Sequence, residues 1–383
     1  MNRVSASVAT LALVFGLAAC TSDGAAEPST GIAFVVGARS NMPPPVLDGR
    51  AFAALQEAVD DGAVASVIVT DGDPQSAGST DLLITGANPV ARKKSRAANL
   101  DRIANAFREA RAEDDESDLV TALSQAERTV REVDGTHAIV IVDSGLSTAG
   151  PLDFTVPGML EADPADVVDM LRDAGSLPKL AGISVTVQGL GDTHLLQERL
   201  SIAQRENLIA IWVAVLEAAG AELVVIEETP LLGSPADGLP WVTPVGLPVP
   251  VVCETDVVVL SGGDVAFQPD SAVFRDPAAA RAVLEPIAVQ LVDGSLTATV
   301  TGMTARVGPR KGQDDLSRDR AEAVVEVLEG LGVPPDALTA TGLGSYFAGY
   351  VQDHGPNGEL LPAEAAKNRK VSITPMKGEL VCE

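Results

Sequence analysis

From residue 31 onward, short runs of β-branched and aliphatic residues alternate with longer amphipathic stretches. Residues 32–36, 64–69, 138–142, 183–187 and 223–226 are apolar runs of strand length, and 82–85 is a further short candidate. Residues 51–59, 95–112, 117–133, 167–171 and 195–219 carry apolar positions at helical spacing. Apolar strands separated by helices imply a mostly parallel sheet covered on both faces. The alternation stops at residues 228–252, where Pro230, Pro235, Pro240, Pro244, Pro248 and Pro250 exclude a regular helix or a central strand. This segment is expected to be a semi-rigid spacer between two domains, with Trp241 and its valines able to pack on either neighbour.

A second pattern follows the spacer. Residues 299–333 read as a strand, a glycine-marked turn and a helix. Ser317 is a favoured N-cap residue, and Ala321, Val324, Val325, Leu328 and Leu331 recur behind it at helical spacing, so the helix is expected to start near Arg318. Arg320 would then lie in the first turn, where free backbone N–H groups and the helix dipole already favour an anion. A guanidinium in that place adds a two-pronged grip on a carboxylate. The alternative is a solvated arginine paired with Asp319 or Glu322.

Composition narrows the partners. The chain of 383 residues has 53 acidic against 27 basic side chains, a formal net charge of −26. Such a charge repels nucleic acid and anionic lipid surfaces, so neither is an expected partner. A hydrophobic content of 46% over this length supports two domains with proper cores. His137, His194 and His354 are scattered, and no metal spacing, nucleophile elbow or Walker loop occurs, so no enzyme, cofactor or metal is expected. Gly189, Gly191 and Asp192 read as a tight turn rather than a phosphate loop, because the dinucleotide pattern is incomplete at His194.

The first twenty residues have Arg3, then a short apolar run, then Leu17-Ala18-Ala19-Cys20. This resembles a bacterial lipoprotein signal with its lipobox, which implies a lipid on Cys20 and a membrane-anchored chain on the extracytoplasmic side. Residues 21–30 are small and polar and read as a tether. With Cys20 assigned to lipid, Cys253 and Cys382 remain as an even pair in an exported chain, expected as a disulfide rather than two reduced thiols.

Gly302, Thr304, Gly308, Leu316, Ser317, Arg320, Ala321, Val324, Leu328 and Gly332, followed by Asn368-Arg369-Lys370-Val371, stand in the register of the OmpA-like peptidoglycan-associated domain. The similarity spans about residues 257–375, with Phe267, Ser271 and Phe274 opening it. The resemblance implies a domain that binds the peptidoglycan stem peptide non-covalently, with Arg320, Thr304, Ser317 and Asn368 as the residues for the ligand carboxylate. One departure is conspicuous. The family's aspartate after the turn threonine, which holds the ammonium of diaminopimelate, is Ala305 here, and the usual Asn is Gln313. Asp314 and Asp315, close by in sequence, are the candidate acids to take over the role.

The region 31–227 resembles a von Willebrand factor A-like domain, most clearly where a helix and strand lead into Asp143-Ser144-Gly145. That family holds a divalent cation through D-x-S-x-S after its first strand; here the stretch is Gly37-Ala38-Arg39-Ser40-Asn41, so no metal is expected and Asp143 reads as a turn residue. The fold class expected is α/β: a doubly wound, mostly parallel A-like sheet over 31–227, a Pro-rich linker over 228–252, and a smaller OmpA-like α/β sandwich over 253–383. The function implied is a non-enzymatic cell-envelope lipoprotein that contacts peptidoglycan and presents its A-like domain to a protein partner. The alternative is an envelope scaffold that has lost its wall ligand and binds proteins only.

Overall fold

The computed structural model describes residues 30–248, 251–254, 257–377 and 379–380. The expected lipid on Cys20 and disulfide between Cys253 and Cys382 rest on side chains outside the described residues. None of the described helices is long and apolar enough to cross a membrane.

The first sheet is built from β1 (Thr30–Gly37), β2 (Val64–Thr70), β3 (Ser76–Asp81), β4 (Thr136–Val142), β5 (Ile183–Gln188) and β6 (Leu223–Glu227), in the order β3-β2-β1-β4-β5-β6. All neighbours are parallel except β3, which runs antiparallel on the edge of β2. The connecting helices are α1 (Gly49–Asp61), α2 (Pro89–Glu109), α3 (Leu119–Val130), α4 (Pro164–Asp173) and α5 (Ile202–Ala218). β1 shows why its strands read as unbroken apolar runs. Phe34 and Val36 enter a core with Leu55, Ile103 and Phe107, while Ala33 and Val35 enter another with Leu123, Leu171 and Trp212. A strand buried on both faces has no polar side to alternate with.

Two sequence expectations need correction here. Residues 82–85 are not a strand; the edge strand is Ser76–Asp81, a polar stretch whose outer edge faces solvent and needs no apolar run. Leu82 instead plugs the core, fully buried, with its N–H on the Ala63 carbonyl at 2.8 Å. The Pro-rich segment has no regular structure over its described part, but it is not a free spacer. Leu231, Val242 and Val245 are buried, and Leu231 and Val245 join the two cores of the first sheet. Trp241 N donates to Asp115 Oδ1 at 2.9 Å, Thr243 N to Glu116 Oε2 at 3.0 Å, and Val245 N to Gln197 Oε1 at 2.7 Å. Carboxylate and amide side chains thus replace the ladder that prolines deny this stretch, and it lies as a strap along the first sheet's unit.

The second sheet has the order β10-β9-β11-β8-β7, from β7 (Val251–Glu254), β8 (Val257–Ser261), β9 (Thr297–Gly302), β10 (Leu338–Gly342) and β11 (Lys370–Lys377). Only β10 and β9 are parallel. The helices α6 (Pro277–Leu291) and α7 (Arg310–Gly330) share its core: Leu284, Ile287, Val324 and Leu328 meet Val300, Val371 and Ile373. The short α8 (Pro362–Asn368) leads into β11 and touches the other unit, where Ala363 joins the core of the first sheet. Arg369, just before β11, reaches Asp166 of α4 at 2.5 Å.

Candidate functional site

The site begins with two glycines. A Cβ on Gly302, at the end of β9, would lie 1.8 Å from the Ser317 carbonyl oxygen, and one on Gly342, at the end of β10, 2.5 Å from Ser317 Oγ. Only glycine at both places lets α7 approach the strand ends so closely. Ser317 is consequently fully buried; its Oγ donates to the Asp314 carbonyl and accepts from Gly344 N, each at 2.9 Å. It is not an N-cap. The helix starts two turns earlier at Arg310, with Pro309 in the cap position. Those turns contain a single apolar residue, Leu316, too little for a helical period, and are held by polar pairs, Arg310 with Asp314 at 3.7 Å and Lys311 with Asp315. Arg320 therefore lies in the middle of α7, outside the first turn where free N–H groups and the dipole act, and what it offers an anion comes from its own charge and setting.

That setting is unusual. Arg320 is only 5% exposed, yet among the described residues no carboxylate forms an ion pair with it. Its Nε donates to the Ser271 carbonyl at 2.9 Å, and its guanidinium carbon stands 5.2 Å from the centre of the Phe267 ring. Burial, and then the neighbouring charge of Arg369, push its pKa down to about 10, with Asp270 and Asp163 opposing. It is still cationic at neutral pH. A buried cation without a counter-ion is costly, and an incoming anion relieves that cost.

Arg320 opens onto a cavity of about 480 Å³, whose lining includes Thr304, Ala305, Gln313, Arg369 and Asp270. Thr304 is 4% exposed, its N–H donates to the Gly344 carbonyl at 2.9 Å, and its hydroxyl oxygen is buried with no protein partner. Arg369 gives Nη2 to Asp166, while its Nη1 is buried and unpartnered. The cavity wall thus holds two arginines, Arg320 and Arg369, Thr304 with its orphaned hydroxyl, and the acids Asp270, Asp315 and Asp319. Of the two acids singled out from sequence, Asp315 lines this cavity. Asp314 lines a separate groove with Arg318 and Tyr346.

Of the four expected ligand residues, Thr304 and Arg320 come together in the cavity, and Ser317 and Asn368 do not line it. Asn368 is fully buried and spent on the loop before α8: its Oδ1 accepts from Val351 N at 2.9 Å, and its Nδ2 donates to the Val351 carbonyl at 2.7 Å and to Asp353 Oδ2 at 3.2 Å. Gln313 ties the turn to the following loop, giving Nε2 to the Gly308 carbonyl at 2.9 Å and accepting from Ser345 Oγ at 2.7 Å. Two participants were not found by sequence reasoning. Arg369 enters the sequence pattern only as part of a strand motif, and nothing local to it signals that the fold brings it beside Arg320. Asp353 carries none. Fully buried, it accepts from Arg306 N at 2.9 Å, directly after Ala305, and from Tyr350 and His354. Burial raises its carboxyl, but the hydrogen bonds outweigh that and hold it below the ordinary range.

In the first sheet's unit, Asp143 sits at the end of β4 against Arg39, which follows β1. Arg39 Nη1 lies 2.6 Å from Asp143 Oδ2 and Nη2 2.9 Å from Oδ1, with both side chains fully buried. Asp143 Oδ1 also accepts from Gly145 N at 2.7 Å, which is the turn role read from sequence. The arginine fills the ground in front of this carboxylate. Among the described residues no group of three or more His, Cys, Asp or Glu side chains gathers to hold a metal ion.

Residues 266–358 match the OmpA family, so the C-terminal part of the chain is an OmpA-like domain. Arg369 and Asn368 lie beyond the matched stretch. Solved structures similar to the chain include the peptidoglycan-associated lipoprotein from Burkholderia pseudomallei, at 26% identity over 29% of this chain and 88% of that one, with a TM-score of 0.25. They also include the periplasmic domain of Helicobacter pylori MotB, at 22% identity over 32% of this chain and 75% of that one, TM-score 0.26. A putative MotB-like protein from Desulfovibrio vulgaris matches at 21% identity over 35% and 81%, TM-score 0.27. No curated protein matches the chain.

Proposed function

We propose that this chain is a non-enzymatic cell-envelope lipoprotein that holds peptidoglycan non-covalently through its OmpA-like domain. The observation that carries the proposal is Arg320, a buried guanidinium without a counter-ion among the described residues, opening with Arg369 and Thr304, whose hydroxyl has no partner among them, onto one cavity. In this reading the stem-peptide carboxylate pairs with Arg320, and Thr304 donates its hydroxyl. Asp270, on the same wall, supplies the negative charge that Ala305 lacks. Ser317 and Asn368 act at one remove, by holding the loops that shape the cavity. Cys20 carries lipid, Cys253 and Cys382 pair, and the domains divide at the strap. The strand order β3-β2-β1-β4-β5-β6, with helices over both faces, supports an A-like domain that serves as an interaction module.

Sedimentation of the full chain with purified sacculi in mild detergent tests the proposal. Co-sedimentation at low salt that free diaminopimelate competes away is the expected outcome, and absence of binding sinks it. A second reading, a scaffold that binds only proteins, is favoured by one observation: the turn presents a buried alanine where a carboxylate belongs. Recovery of a stoichiometric partner together with no wall binding would decide for it.

A further inference from the structure

A second cavity, of about 370 Å³, lies in the first sheet's unit between the end of α2, the loop after β1 and the strap. Its walls are chiefly apolar, with Phe107, Val46, Ala110 and Leu239 among them, and it also takes in Arg39, Arg108 and Arg111. No acidic residue lines it, in a chain where acids outnumber bases 53 to 27. Arg108 and Arg111 form no ion pair among the described residues. Arg108 donates to Asn105 Oδ1, and Arg111 Nη1 donates to the carbonyls of Arg108 and Ala110 at 3.0 and 2.6 Å. Arg39 is turned toward Asp143, but its Nε is buried with no partner.

We propose that this cavity binds a small organic anion with an apolar body, of the class of short-chain aliphatic carboxylates. An apolar cavity of this size with a few convergent polar groups is the ordinary form of a small-molecule site. The position agrees with that form, because the cavity opens beyond the carboxyl end of β1, beside the point where the strand order reverses between β1 and β4. Pro44, Pro45 and Pro235 stand in its walls, and their fixed φ angles leave little backbone to order when a ligand enters. The alkyl chain would lie against Phe107, Val46 and Leu239, and the carboxylate would face Arg108 and Arg111. The site is independent of the wall-binding cavity and of the reading given to it.

Calorimetric titration of the full chain with hexanoate, hexanol and hexylammonium separates the charge from the chain length. Hexanoate is expected to bind at one saturable site, hexanol at least about tenfold more weakly, and hexylammonium not at all. The double variant Arg108→Ala/Arg111→Ala should weaken hexanoate about tenfold with an unchanged melting temperature. Ala236→Trp, on the half-buried strap wall, should abolish binding by filling the space. If Ala236→Trp does not fold, the arginine pair alone decides. No saturable hexanoate binding overturns the proposal, as does hexanoate binding that the other two probes match or that the folded variants leave unmoved.

Discussion

Two arginines in this molecule are almost equally buried and entirely different in their company. Arg39 is locked to Asp143 by two short hydrogen bonds and is fully withdrawn from solvent. Arg320 is 5% exposed, rests on a carbonyl and a phenyl ring, and has no ion-pair partner among the described residues. The first is a closed account of charge, complete within the protein. The second is left open, with a cavity in front of it. Burial alone therefore says little about what a charged side chain is for; the state of its counter-ion says more.

The comparison can be broken most severely at the closed pair. Asp143→Ala strands a buried guanidinium and should destabilise the chain by about 3–5 kcal/mol in denaturant unfolding. A loss below about 1 kcal/mol would mean that the pair is not what keeps Arg39 inside.

The next effect belongs to Glu161, a half-buried residue whose Oε1 is buried and unpartnered among the described residues, beside the contact between the two units. Burial raises its pKa from 4.5 to about 7, with its own backbone hydrogen bond and Arg275 opposing. The folded state thus holds this proton more tightly than the unfolded chain. Its contribution to stability is complete below pH 4.5 and is lost as pH rises through about 7. The loss should amount to about 2–3 kcal/mol across that window, and Glu161→Gln should flatten the slope of unfolding free energy against pH.

Arg320→Ala should change stability by no more than about 1 kcal/mol while weakening sacculus binding by about 2 kcal/mol, roughly 30-fold. If it unfolds the chain as badly as Asp143→Ala does, the contrast between the two arginines fails. The smallest change expected is from Ala305→Asp. It restores an acid to the turn and should strengthen binding to diaminopimelate-containing wall several-fold, about 1 kcal/mol, measured by the same sedimentation.

Much of the architecture was legible where burial imposes a period. The inner strands of the first sheet, β1, β2, β4 and β5, are apolar runs because they are largely buried, and the stripe of Ala321, Val324 and Leu328 marks the helix that carries Arg320. What escaped was structure that burial does not write. The polar edge strand β3 and the first two turns of α7, with Leu316 alone, have no apolar period, so the sequence places that strand wrongly and starts the helix two turns late. The strap escaped for the opposite reason. Its prolines announce irregularity, but Leu231, Val242 and Val245 bury one by one at contacts that no local period predicts. At the site, Arg320 and Thr304 were legible through their motif. Asn368 was legible as a residue but not in its role, because its bonds go to a loop seventeen positions earlier in the chain.

The place of β1 has a mechanical meaning. Whatever precedes Thr30 joins the sheet not at a margin but at an inner strand, registered at seven positions with β2 and at seven with β4. A pull delivered through that end runs along the strand, so the flanking hydrogen bonds are loaded in shear and resist together. The same pull on an edge strand such as β3 would meet one neighbour only. If the chain is tethered at one end and holds its ligand at the other, as proposed above, this puts the tow line on one of the most firmly held strands of the sheet.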